Sequence, residues 1–211
     1  MKKKEKLILA AGFLAAFALW TMVLCLVDRQ PIGPRESMVG LGGWNQWVHG
    51  LTGVRLDLYV ITDWLGLVPI GICGVFALLG LWQWIMRKSL KKVDRDLLLL
   101  GGFYLAVMGA YLLFEKVVIN YRPVLLNGRL EVSYPSSTTM LVLCIMPTAM
   151  MQIKRRLGRG WRSKLLWVAV LIFTVLMVAG RFLSGVHWVT DIVGGILLSA
   201  GLVTLYDGLS A

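Results

Sequence analysis

Six apolar stretches constrain this chain more than any other feature of its sequence. Each approaches the roughly 20 apolar residues that a helix needs to cross the hydrocarbon core of a bilayer. They cover residues 7–27, 68–86, 97–114, 138–153, 165–180 and about 186–205. Charged residues make up 16% of the chain, against about 25% in soluble domains. The sequence therefore predicts an all-α, six-span transmembrane helical bundle.

The first stretch begins as a signal peptide does, with lysines before an apolar run. It is longer than the roughly 7–15 apolar residues of a signal core and no small-residue cleavage site follows, so we expect a retained span. No repeat or linker divides the chain, and residues 1–211 are predicted to form one integral membrane unit. Cys25, Cys73 and Cys144 lie in apolar runs, where packing is expected rather than a disulfide.

The basic residues predict the orientation of the spans. Three segments that fall on one side of a six-span bundle hold fifteen of the 22 Lys and Arg residues. Short loops rich in positive charge stay in the cytoplasm, so both termini are predicted to be cytoplasmic. This placement also explains the net charge of +11 without a nucleic-acid partner. The residues are Lys2, Lys3, Lys4 and Lys6, then Arg87, Lys88, Lys91, Lys92 and Arg95, then Lys154, Arg155, Arg156, Arg159, Arg162 and Lys164.

Three segments with reactive side chains meet on the opposite, outer side. The first ends at Arg122, which precedes Pro123 and is therefore disfavoured in a helix. Its planar guanidinium can bind two phosphate oxygens at once. Lys116 lies nearly two turns earlier and adds a point charge for the same anion. The alternative for both residues is snorkelling to the interface, which is common near span ends.

The second segment opens the fourth span after Pro135. Free amide groups at a helix start, together with the hydroxyls of Ser136, Ser137 and Thr138, predict a phosphate-binding site. The same pattern also occurs at ordinary helix starts.

The third segment contains Arg181, His187 and Asp191. The last two are spaced four residues apart and are expected to share one face of a helix. Asp191 can accept a hydrogen bond from Nδ1 of His187, which leaves the Nε2 lone pair free for nucleophilic attack. Ionisable residues are costly inside a span, so a catalytic pair is favoured over a His–Asp link that only ties helices together.

These segments resemble the three signature motifs of the type 2 phosphatidic acid phosphatase family. The family patterns are Lys-x6-Arg-Pro, Pro-Ser-Gly-His and Ser-Arg-x5-His-x3-Asp. The resemblance covers about residues 97–205, and the third motif is matched by Arg181, His187 and Asp191 at full spacing. It implies a membrane lipid phosphatase whose active site lies at the outer membrane–water interface, with no cofactor and no metal.

The resemblance also implies the roles of individual residues. His187 attacks phosphorus and forms a phosphohistidine, which water then hydrolyses. Arg122, Arg181 and the amides and hydroxyls of Ser136 and Ser137 hold the phosphate oxygens. The implied partners are a lipid phosphate or diphosphate substrate and the bilayer itself.

Three positions depart from the family patterns. Gly180 replaces a serine, which is a minor change. Glu115 stands at the lysine position, and Lys116 follows it, rotated by about 100° on a helix. Thr138 replaces the family's second histidine, the acid that protonates the leaving group. Because losing general acid catalysis costs about 10²–10⁴ in rate, and less for a good leaving group, we expect a lipid diphosphate to be preferred or monoesters to react slowly.

Two alternatives remain open at this stage. His49 can stand in as the acid if the first outer loop, residues 28–57, folds over the site, although such a loop is otherwise expected to lie along the interface. The chain can also be an impaired family member that binds lipid phosphates without hydrolysis. Glu115 and Thr138 favour that second alternative, and the intact His187–Asp191 pair opposes it.

Overall fold

The computed structural model describes residues 1–158 and 160–210, so Arg159 of the predicted basic loop and Ala211 lie outside the described residues. The described chain is built from α-helices, with isolated bridges but no sheet, and the predicted all-α fold is confirmed. The helices are α1 (Lys3–Leu26), α2 (Gly42–Thr52), α3 (Leu56–Leu65), α4 (Leu67–Arg87), α5 (Arg95–Lys116), α6 (Ser137–Leu157), α7 (Trp161–Leu183) and α8 (Val189–Ser210).

Five helical stretches within the described residues are long and apolar enough to cross a membrane: α1, α3 with α4, α5, α7 and α8. Their outward faces carry large apolar side chains such as Leu105 and Leu176, which are 75% and 64% exposed. Side chains of this kind are expected to face lipid, and the protein is a multi-pass membrane protein. The fourth predicted span, residues 138–153, corresponds to α6, which is less apolar and lies largely buried against α7 and α8. Its crossing of the bilayer stays a prediction.

Helix bounds differ from the sequence-based expectation in two places. The second span was predicted to begin at residue 68, but the helical stretch already begins at Leu56. The last span was predicted to include His187 in its first turn, but α8 begins at Val189 and His187 lies in the turn after α7. His187 and Asp191 therefore meet because the turn brings them together, rather than because they share a helical face.

The predicted first outer loop, residues 28–57, also differs from expectation. It contains a folded helix, α2, which contacts α8 and buries Asn45 completely. The segment packs against the ends of α7 and α8, because Arg55 N donates to the carbonyl of Ser184 at 2.9 Å. Residues 28–57, here called the cover segment, therefore form a folded layer over one end of the bundle.

Polar contacts gather at both ends of the bundle. At one end, Lys6 of α1 pairs with Asp207 of α8 at 2.8 Å, and Arg156 of α6 pairs with Asp96 of α5 at 3.1 Å. Toward the other end, a largely buried aromatic cluster is formed by Phe17, Phe114 and Tyr134. The opposite end brings together the chain segments that contain the predicted site residues.

Candidate active site

The predicted site residues form a cluster at the bundle end opposite Lys6 and Arg156, and His187 lies at its centre. It is 3% exposed, and its Nε2 lies 3.0 Å from Nη1 of Arg122. Arginine has no acceptor atom, so Nε2 must accept this hydrogen bond and the ring proton must be on Nδ1. Burial lowers the pKa of His187 to about 4, and the positive charge of Arg122 adds to the lowering. The imidazole is therefore neutral at pH 7, with a lone pair on Nε2.

Asp191 faces the other ring nitrogen of His187. Its Oδ2 lies 3.6 Å from Nδ1, slightly beyond hydrogen-bond range, and accepts a hydrogen bond from the backbone N–H of Trp188 at 2.9 Å. Its Oδ1 accepts from Nδ2 of Asn120 at 3.3 Å, and Oδ1 of Asn120 accepts from Gly40 N at 3.2 Å. The carboxylate is therefore held at a fixed orientation beside His187.

Arg122 is fixed from two sides. Its backbone N–H donates to the carbonyl of Glu131 at 2.9 Å, and its Nε lies 3.2 Å from Oε2 of Glu131 in an ion pair. The side chain is only 8% exposed, and Nε has no well-formed hydrogen bond within the described part of the chain. A buried cationic donor with unused hydrogen-bonding capacity is suited to an anionic ligand.

Arg181 is 2% exposed and lies between α3 and the start of α6. Its Nη1 donates to Tyr59 O and Thr62 Oγ1, both at 3.2 Å, and its Nη2 lies 3.1 Å from Oδ1 of Asp63. Nη2 also donates to Oγ1 of Thr138 at 2.7 Å. The residue that replaces the family histidine is thus an acceptor for Arg181. Within the described residues, Nε is the nitrogen of Arg181 that lacks a partner.

The start of α6 adds hydroxyls and amides to the cluster. The backbone N–H of Ser136 donates to the carbonyl of Asp191 at 3.1 Å, and its Oγ accepts from Thr139 at 3.0 Å. Ser137 is partly exposed and lines the same pocket as His187. The N-terminal amides of α6 therefore lie beside His187, where they can interact with an anion.

Lys116 and Glu115 occupy different positions at the end of α5. Glu115 lines a small pocket together with His187. Lys116 is exposed and does not line this pocket, so the structure does not bring it to the cluster. Its predicted role as a phosphate ligand stays a prediction.

The cover segment contributes Asn45, which the sequence analysis did not single out, and His49, which it considered as a stand-in acid. Asn45 donates from Nδ2 to Oγ1 of Thr190 at 3.0 Å. His49 lies behind the turn that carries His187, with Nε2 3.0 Å from the carbonyl of Gly185 and its ring 5.4 Å from that of Trp188. Because a carbonyl only accepts, Nε2 of His49 carries the proton. The sequence shows an amphipathic stretch with Trp and Asn residues in this segment, but it does not show which residues these side chains contact.

A groove of about 1250 Å³ runs along α4, α5 and α6. Its walls are mostly apolar, and its polar end contains Asp63, Ser137 and Thr138. Tyr111, Ser137 and Met140 line both this groove and the small pocket beside His187. This apolar groove thus leads along the helices to the polar cluster.

A family model for the PAP2 superfamily matches residues 99–207, which is more than half of the chain. The chain belongs to the PAP2 superfamily. The matched range contains every predicted site residue, from Lys116 to Asp191. The resemblance that the three motifs indicated is therefore confirmed at the level of the family.

The PAP2 assignment agrees with a comparison of folds. The chain is similar to the crystal structure of the first transmembrane PAP2-type phosphatidylglycerolphosphate phosphatase from Bacillus subtilis, with a TM-score of 0.61 and 18% identity over 95% of each chain. A comparison with curated protein sequences finds no match. Membership of the PAP2 superfamily and this fold together support a membrane lipid phosphatase.

Among the residues that the structure describes, no group of three or more His, Cys, Asp and Glu side chains could hold a metal ion. The PAP2 cluster instead presents two guanidinium groups, a neutral imidazole and the first turn of a helix. These groups can bind a phosphoryl group and supply a nitrogen nucleophile.

Proposed function

We propose that this PAP2 protein hydrolyses a lipid phosphate or lipid diphosphate through a phosphohistidine on His187. The observation that carries the proposal is the contact between His187 and Arg122. In this contact Nε2 accepts a hydrogen bond and carries no proton, and the guanidinium lies next to the nitrogen that would attack phosphorus, which supports the proposal.

In the first step, Nε2 of His187 attacks phosphorus, and the bond from phosphorus to the leaving-group oxygen breaks. Asp191 stabilises the positive charge that develops on the ring through Nδ1–H. The present distance of 3.6 Å is longer than a hydrogen bond, and such contacts commonly shorten when substrate binds. Water then displaces His187 and releases phosphate.

The phosphate oxygens are held by Arg122 and by the amides and hydroxyls at the start of α6. Such stabilisation of charge is usually the largest catalytic contribution. Arg181 contributes through its unpaired Nε and by holding Thr138 in place. The reaction needs no metal in this proposal, because the guanidinium groups supply the positive charge.

The lipid part of the substrate is proposed to lie in the groove along α4, α5 and α6. The groove is apolar along its length and meets the His187 pocket at Tyr111, Ser137 and Met140. A bilayer lipid can thus present its headgroup to the cluster while its chains stay in an apolar environment.

The site is proposed to face the outside of the cell, with both termini in the cytoplasm. The basic segments lie at the bundle end that contains Lys6 and Arg156, opposite the cluster. Positive charge in short loops marks the cytoplasmic side. Labelling single introduced cysteines near Arg35 and Arg95 with a membrane-impermeant reagent would test this orientation, and labelling at residue 95 but not at residue 35 would contradict it.

The activity is tested with purified full-length protein and a panel of phosphatidylglycerolphosphate, phosphatidate and undecaprenyl diphosphate. We expect phosphate release and a trapped phosphoenzyme, both lost in His187→Ala. A Lys164→Gln variant, altered at the opposite end of the bundle, is the matched control and is expected to retain activity.

The alternative function is a binder of lipid phosphates that does not hydrolyse them. The observation in its favour is that Tyr59, Thr62, Asp63 and Thr138 already occupy both Nη groups of Arg181. Saturable lipid-phosphate binding with no phosphate release from any member of the panel would establish the binder and contradict the hydrolase.

A further inference from the structure

Glu115 lines the same small pocket as His187, at a position where the PAP2 motif has a lysine. It lines a pocket of about 10 Å³ with His187, together with the hydroxyl-bearing residues Ser133, Tyr134 and Ser137. A volume of this size accommodates about one water molecule, provided that polar groups are present to bind it. The pocket therefore combines a nucleophilic histidine, a carboxylate and space for a single water.

The other carboxylates of the cluster are bound to basic or backbone groups of the site, whereas Glu115 interacts with the hydroxyl of Tyr111 on its own helix. Asp191 accepts from Trp188 N and faces His187, Glu131 pairs with Arg122, and Asp63 pairs with Arg181. Among the described residues that line the small pocket, Glu115 is the one carboxylate. Glu115 is also exposed, so a proton that it receives can pass to solvent.

We propose that Glu115 is the general base that activates the water for hydrolysis of the phosphohistidine. The inference rests on the proposed function of His187. The water oxygen forms a bond to phosphorus while the bond from Nε2 to phosphorus breaks and its electron pair returns to Nε2. One water proton moves to the carboxylate of Glu115, and inorganic phosphate leaves. Glu115 then releases the proton to solvent.

This assignment accounts together for two of the three departures from the family patterns, Glu115 and Thr138. A lysine at position 115 would bind the phosphoryl group but could not readily accept a proton from water at neutral pH. Thr138 cannot accept that proton either, because its hydroxyl is a poor base and is hydrogen bonded to Arg181 at 2.7 Å. The carboxylate on α5 supplies the base that the residue on α6 lacks.

The experiment follows the phosphoenzyme rather than the overall rate. Full-length protein in detergent is mixed rapidly with radiolabelled phosphatidate or phosphatidylglycerolphosphate, and acid-labile, base-stable phosphohistidine is measured over time. Glu115→Gln is expected to form the phosphoenzyme at the wild-type rate and to hydrolyse it about 10²-fold more slowly, since general base catalysis contributes about 10²–10⁴. The labelled intermediate then accumulates.

Two controls separate catalysis from folding. Glu36→Gln removes an exposed carboxylate on the same side of the bundle, away from the pocket, and is expected to behave as wild type. In Glu115→Ala, added formate is expected to restore hydrolysis of the intermediate, because the small carboxylate can occupy the space of the missing side chain. A structural role for Glu115 does not predict this rescue.

The outcomes distinguish the inference from the proposed function. If wild-type protein forms no phosphoenzyme, or His187→Ala retains activity, the proposed function fails. If wild-type protein forms the phosphoenzyme but that of Glu115→Gln decays as fast as wild type, Glu115 is not the base. The inference is also overturned if Glu115→Gln raises KM while its phosphoenzyme decays at the wild-type rate, or if formate does not restore hydrolysis in Glu115→Ala.

Discussion

Nη1 of Arg122 lies 3.0 Å from Nε2 of His187, and this contact determines the tautomer of the histidine. Arginine can only donate, so Nε2 accepts and the proton resides on Nδ1, facing Asp191. The same guanidinium is positioned to bind the phosphoryl group that Nε2 attacks in the proposed reaction. Arg122 thus links the protonation state of His187 to the binding of its substrate.

Asp191→Asn is expected to reduce kcat by about 10²–10⁴-fold. The amide of asparagine can donate to Nδ1, which would place the ring proton on Nε2, where it points at Arg122 and blocks attack. Steady-state kinetics and phosphoenzyme trapping check this prediction. Asp207→Asn at the other end of α8, where a partly exposed pair with Lys6 is lost, is the control and is expected to leave kcat unchanged. Equal activity of wild type and Asp191→Asn would contradict the proposed role.

His187 is expected to stay neutral well below its ordinary titration range. Burial lowers its pKa to about 4, so the nucleophilic lone pair is lost only as the pH falls through that value. The chain contains two histidines, and in a His49→Gln variant an NMR titration of labelled histidine reports on His187 alone. A midpoint at about 6.5, the ordinary pKa of histidine, would show that the ring is not buried as described.

His49 is expected to position the turn that carries His187. His49→Ala removes the hydrogen bond to the Gly185 carbonyl and should lower kcat about three- to tenfold, as expected for a bond that contributes about 0.5–1.5 kcal/mol. KM should stay unchanged. His49→Gln retains an N–H donor and should recover most of the activity. If His49 were instead the missing acid, His49→Gln and His49→Ala would lower kcat equally.

Thr138 is expected to govern the preference for the leaving group. With no acid at this position, a lipid diphosphate should react faster than a phosphatidate, because its leaving group needs less protonation. Thr138→His should accelerate hydrolysis of the phosphatidate and so reduce the ratio of the diphosphate rate to the phosphatidate rate. Initial rates with both substrates check the prediction, and Ser199→Ala, altered near the middle of α8, is the control. Faster turnover of phosphatidate by the wild-type protein would contradict it.

Much of the architecture was accessible from sequence for a simple reason. Lipid requires every backbone polar group to be satisfied within the segment, so a long apolar run can only be a helix. That constraint predicted the helical membrane fold, and the spacing of Arg181, His187 and Asp191 predicted the family. α6 was harder to judge, because a helix surrounded by protein can carry polar residues such as Thr148 and Gln152 that a lipid-facing helix cannot.

What the sequence by itself determined is the set of reactive residue types, their order along the chain and the environment in which they fold. Only the tertiary structure decided their partners. Asn45 bonds to Thr190 of α8, His49 bonds to the turn that carries His187, and Asp63 of α3 pairs with Arg181; each contact joins residues that are distant in the chain. Glu115, and not its neighbour Lys116, lines the small pocket with His187. Such contacts depend on the rotation and approach of one helix relative to another, and the periodicity of a single segment contains no information about its neighbours.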